Sequence, residues 1–115
     1  MSNETTSQQI AQNAGLLDAD AVMSAVANPM RRAILAHLSD GEPMGATDIA
    51  SLVHSDPSNI ARHFLVMRRA GIIVMGRGKL QRIPPQFNPN PGSRTLDFGH
   101  CLLRLNAAPP DKPET

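Results

Sequence analysis

The spacing of apolar residues changes along this chain, and each change marks an element. Over residues 46–71, ATDIASLVHSDPSNIARHFLVMRRAG, it predicts a short helix, a tight turn and a longer helix. Ile49, Ala50, Leu52 and Val53 form the apolar face of the first helix. Thr47 is its expected N-cap, with Asp48 in the first turn, where the helix dipole favours an anion. His54 and Ser55 form the turn. Asp56 caps the second helix, and Pro57 takes its first position, where a missing N–H costs nothing. Ile60, Phe64 and Met67 recur at i, i+4 and i+7, so they share a core-facing side. Ser58, Asn59, Arg62, Val66 and Arg69 fall on the opposite side.

Two further helices are expected upstream. Asp18 or Asp20 caps the first, which runs through Ala27 and carries Val22, Met23 and Val26. Pro29 opens the second, which continues to about Leu38 with Met30, Ile34 and Leu38 as its stripe and Leu35 alongside. Asp40-Gly41 ends it, and Met44 to Ala46 supplies a strand of one or two residues. Downstream the period shortens. Ile72 to Met75 reads as a β-branched strand, Gly76-Arg77-Gly78 as a turn, and Lys79 to Ile83 as the returning strand, stopped by Pro84 and Pro85. Residues 84–95 form an extended loop. Leu96, Phe98, Cys101, Leu103 and Leu105 alternate with a phase break at Gly99-His100, which predicts a third strand with a bulge; a short helix is the alternative. The polar residues 1–17 are expected to be disordered, 18–106 to form the folded domain and the Pro-rich 107–115 to be a mobile tail.

Charge sharpens this picture. The net charge of the 115 residues is only +1, but residues 57–96 hold seven basic side chains and no acidic one. Residues 1–56 hold two arginines against seven carboxylates. A block of one sign across the long helix and the hairpin is an electrostatic footprint for a polyanion. Without Trp or Tyr and with three Phe, the core must be built from Leu, Ile, Val, Met and Ala. The lone Cys101 excludes a disulfide within the chain. No apolar run approaches a membrane span, and the polar N-terminus lacks a secretory signal's pattern, so a cytoplasmic protein is expected.

The helix pair resembles the helix-turn-helix of the ArsR-type winged-helix repressors. DIASLVHSDPSNIARHFLVMRRAGII is similar to that family's segment at Ala50, Ile60, Arg62, His63, Phe64, Met67, Ala70, Gly71 and Ile72. Ala27 to Leu35, ANPMRRAIL, is similar to the start of the family's preceding helix. The resemblance runs from Ala19 to Ile83. It departs from the family at His54, where a glycine is usual, and at Ala61, where a serine is usual. His54 is therefore expected at positive φ.

The resemblance implies a mainly α fold with a small β-hairpin (α+β), a winged helix-turn-helix. It also implies a sequence-specific DNA-binding regulator, a repressor, that pairs two half-sites as a homodimer on double-stranded DNA. The hairpin is then the wing. Ser58, Asn59, Arg62, His63 and Arg69 on the long helix are the expected DNA-binding residues, with Arg77, Lys79 and Arg82 on the wing. Short polar side chains and arginines on one helix face suit the base edges and phosphates of a major groove. Metal-sensing relatives are recognised by Cys-x-Cys in the first helix of the motif, or by His and carboxylate pairs on a terminal helix. Here the first position reads ASLVHSD and that terminal helix is absent, so no metal and no cofactor is expected. The first helix and the terminal strand are then the expected dimer contact. No nucleophile elbow, phosphate loop or metal-hydrolase motif supports an enzyme. A competing reading is a winged helix that binds a protein partner, which the apolar Leu65 and Val66 on the flank of the helix favour.

Overall fold

The computed structural model describes residues 17–105. Apart from Leu17, the expected disordered N-terminal segment lies outside the described residues, as does the expected tail. Four helices come first: α1 (Ala19–Val26), α2 (Pro29–Leu38), α3 (Ala46–Val53) and α4 (Pro57–Ala70). Two antiparallel hairpins follow. One pairs β1 (Val74–Met75) with β2 (Gln81–Arg82), and the other pairs β3 (Thr95–Asp97) with β4 (Leu102–Arg104). A hairpin directly after a helix-turn-helix makes this a winged helix-turn-helix of the α+β class.

Local chemistry accounts for most helix ends. Asp18 caps α1 by accepting from the Ala21 amide at 2.9 Å. Asn28 caps α2 by accepting from the Arg31 amide at 3.0 Å, with Pro29 next. The expected Thr47 cap of α3 is corrected to Gly45, which is extended at φ −97° and ψ 178°. Asp48, three residues on, reaches back to accept from the Gly45 amide at 3.3 Å. That bond draws the cap two residues upstream of Thr47, and the helix starts at Ala46.

The core gathers Val22 and Ala25 of α1, Ile34, Leu35 and Leu38 of α2, Ile49 and Ala50 of α3, and Ile60, Phe64 and Met67 of α4. Met23 is not part of it and stands 56 % exposed, since one step along α1 turns it away from Val22 and Val26. Leu17 is buried beneath the end of α4. Gly71 closes that end at φ 84°. Its amide donates to the Arg68 carbonyl at 2.9 Å and the Ile72 amide to the Met67 carbonyl at 3.1 Å, the paired bonds of a Schellman ending. A Cβ on Gly71 would meet the Cδ2 end of the Leu17 side chain, which would have to move aside, so the left-handed φ is what calls for glycine here.

The strand expectations are met in part. Ile72 and Ile73 are buried core residues, and pairing starts only at Val74. Their β-branched run reflects burial rather than a longer strand. Met44 pairs with Gln81 through two backbone bonds, of 3.0 and 2.7 Å, and so supplies the short strand expected before α3. The expected single third strand is corrected to a hairpin. Gly99 at φ 90° and the bond from the Phe98 amide to the Cys101 carbonyl turn the chain back, so Leu96 pairs with Leu103. The phase break at Gly99-His100 is therefore a turn and not a bulge.

Candidate nucleic-acid interface

The two helices of the motif are fixed by the turn between them. His54 takes φ 57° and ψ 51° at the end of α3, as its place in the glycine position predicts. The Ser55 amide donates back to the Ala50 carbonyl at 2.9 Å. Asp56 then starts α4, accepting from the Ser58 amide at 3.0 Å and from the Ser58 hydroxyl. These bonds from Ser58 hold the Asp56 carboxyl below the usual carboxylate range.

The expected contact residues divide into two groups. Arg62 and Arg69 are exposed on the outer side of α4, and Leu65 and Val66, 38 and 40 % exposed, lie beside them. Ser58 is exposed, but its hydroxyl proton points to Asp56. Asn59 is half-buried and donates from Nδ2 to the Ser55 hydroxyl at 3.1 Å. His63 stands apart from this face. Its Nδ1 lies 3.3 Å from Nη1 of Arg31, a contact in which the guanidinium donates and the ring nitrogen accepts. Burial first, then the Arg31 and Arg62 guanidinium groups, hold His63 below the usual imidazole range.

Arg31 is a residue whose role periodicity does not reveal. Its Nε donates to the Ala25 carbonyl at 2.7 Å and its Nη2 to the Ser24 carbonyl at 3.3 Å. Arg32 donates to the Val26 carbonyl at 2.7 Å. Together they satisfy the open carbonyls at the end of α1, where cations are favoured by the helix dipole. The signal in the sequence is two arginines six residues after those carbonyls, across Asn-Pro. Arg31 thus ties α1 to α4 through His63.

The hairpin of β1 and β2 presents the other group. Arg77, Gly78 and Lys79 form a tight turn at its tip, closed by the bond from the Gly76 amide to the Leu80 carbonyl at 2.7 Å. Gly78 and Lys79 both take left-handed φ, at 70° and 61°. Arg77 and Lys79 are exposed, and Arg82 lies exposed at the base of the hairpin beside Ile83 and Pro85. Arg68, also in the basic block, turns inward to this hairpin and donates to Gln81 Oε1 at 3.4 Å.

The described surface therefore carries exposed cations on α4 and on the hairpin that follows it. Residues 26–75 match a family model described as a helix-turn-helix domain. The matched span reaches from the end of α1 through α2, the helix pair and β1. Over these residues the chain is similar to a helix-turn-helix domain, which supports DNA as a partner. No curated protein matches the chain. Among the described residues no three His, Cys, Asp or Glu side chains come together as metal ligands, and no helix is long and apolar enough to cross a membrane.

Proposed function

We propose that the protein is a sequence-specific transcriptional repressor of the ArsR kind. It binds double-stranded DNA as a cytoplasmic homodimer, without catalysis or cofactor. In this reading α4 lies in the major groove, where Arg62 and Asn59 read base edges and Ser58 and Arg69 contact the flanking backbone. Arg77, Lys79 and Arg82 of the wing meet phosphates or the adjacent minor groove, and His63 supports α4 from its inner side. Two copies are needed because one helix spans too few base pairs for useful selectivity. The observation that carries the reading is that five of the seven cations of the acid-free block 57–96, Arg62, Arg69, Arg77, Lys79 and Arg82, stand exposed on α4 and on the wing. A surface built for a protein partner would lose charge at its centre.

The exposed Leu65 and Val66 favour a second reading, in which α4 docks into a groove on a partner protein. In vitro selection from random duplexes, followed by affinity measured against salt, separates the two. The repressor reading expects an enriched sequence, bound at least 10³-fold more tightly than random DNA. It also expects log affinity to fall with log salt by about 0.9 per phosphate contacted. Failure to retain any duplex at low salt removes it and advances the second.

A further inference from the structure

Among the described residues, Ser39, Gln81 and Asn88 are the buried polar side chains. Ser39 and Asn88 bond to each other's neighbourhood under the Pro-rich loop, where the Ser39 carbonyl accepts from Asn88 Nδ2 and the Gly92 amide, each at 3.0 Å. Gln81 does something different. It is 2 % exposed and joins three parts of the motif. Its backbone pairs with Met44, just ahead of α3. Its Oε1 accepts from Arg68 on α4, and its Nε2 donates to the Lys79 carbonyl at 3.2 Å.

We infer that Gln81 is a positioning residue for the wing: it fixes the hairpin tip relative to α4, with Arg68 as its anchor on the helix. The hairpin needs such an anchor. Its strands are two residues long, and an isolated hairpin of any length is at best marginally stable in water. Lys79 also holds a left-handed backbone, a conformation that persists only where its surroundings enforce it. The bond from Gln81 to the Lys79 carbonyl enforces it at that residue. Gln81 is uncharged and enclosed, so it meets no phosphate itself. Any effect it has on DNA binding passes through the wing. The inference about DNA rests on the wing reading above; the bracing of the tip does not.

The test uses Gln81→Met, which keeps the length and volume of the side chain and removes its donor and acceptor. The first readout needs no DNA. Hydrogen exchange at the Gly76 and Leu80 amides should quicken about tenfold or more, while amides inside α2 and α4 keep their protection. Arg68→Gln, at a half-exposed position where folding is not at stake, should loosen the same amides. The pair of substitutions should do little more than either alone, because both cut one chain of bonds. The second readout is the salt slope. Replacing Arg77 and Lys79 together by Ala in a dimer removes up to about four phosphate contacts and should lower the slope by about 2–4. Gln81→Met should lower it similarly, and adding it to the wing pair should lower it no further.

Unchanged exchange at Gly76 and Leu80 in both variants overturns the inference. Where the wing pair does lower the slope, a lower melting temperature of Gln81→Met with an unaltered slope overturns it too, since that describes a residue that is structural only. If the wing pair itself leaves the slope unchanged while Gln81→Met quickens exchange, the DNA reading of the wing fails and the brace stands.

Discussion

The long helix and the wing carry cations of the same kind, yet they are held in opposite ways. α4 is specified by its own sequence: Asp56 and Pro57 start it, Ile60, Phe64 and Met67 seat it, and Gly71 ends it. The wing has two-residue strands, and its tip is held by a glutamine bonded to a helix thirteen positions earlier. A helix with both ends capped presents side chains at fixed spacing, as reading a base sequence demands. In the proposed reading, a short hairpin whose tip is fixed by one buried brace meets a backbone that is the same at every step. Base reading and backbone contact then fall to separate elements.

The largest expected effect breaks the helix side of this contrast. Gly71→Ala forces a left-handed backbone on a residue with a Cβ, at about 1–2 kcal/mol. Its Cβ also meets the end of the Leu17 side chain, and moving that buried side chain off its rotamer costs about 0.5–1.5 kcal/mol. Denaturant unfolding should show a loss of roughly 2–3 kcal/mol. A loss no greater than that of an ordinary surface change would mean that the end of α4 is not fixed as described.

Next comes the reading face. Arg62→Ala should cost about 1–3 kcal/mol on the selected duplex and blur preference at one base position per half-site, while the salt slope changes little. Equal weakening on selected and random DNA would reduce Arg62 to a phosphate contact and erase the division between helix and wing.

The smallest effect concerns the inner side of α4. His63 is held below its ordinary value in the fold by burial and by Arg31 and Arg62. The unfolded chain therefore takes up the proton first as pH falls. Stability from this group is full above about pH 6.5 and declines as pH drops below it, levelling once the folded form is also protonated. His37, lowered chiefly by its own burial and then by Arg94 against the opposing Asp40, adds to the same decline. Thermal melts between pH 7.5 and 5.5 should show it, and His63→Gln should flatten part of it. An identical pH profile in that variant would rule out His63 as a contributor.

Most of the helix-turn-helix was legible because its determinants are local. Caps, a proline, a left-handed turn residue and a stripe all lie within one or two turns of what they specify. His54 in the glycine position is an example, since the turn demanded positive φ whatever residue filled it. Where competing local signals lay close together, the reading slipped by two residues, as at Thr47 and Gly45. The terminal hairpin was misread because a bulge and a tight turn break alternation alike, and only the pairing of Leu96 with Leu103 separates them. Ile72 and Ile73 looked like strand because β-branched residues serve both strands and cores. Among the site residues, Arg62, Arg69, Arg77 and Lys79 are as exposed as periodicity and turn signals imply. The inward turn of His63, and the roles of Arg31 and Gln81, depend on partners from other elements, which no spacing rule encodes.

One contact has a consequence for how the chain assembles. His100 Nε2 lies 3.0 Å from the Leu17 carbonyl, across 83 positions of sequence. The helices gain contacts over short loops, whereas this seam closes a loop almost as long as the described fold, an entropic cost that must be met before the contact returns anything. The seam is therefore expected to close late in folding and to open early in unfolding. A contact absent from the folding transition state acts as a clasp on the lifetime of the native state and leaves the folding rate to the more local helices.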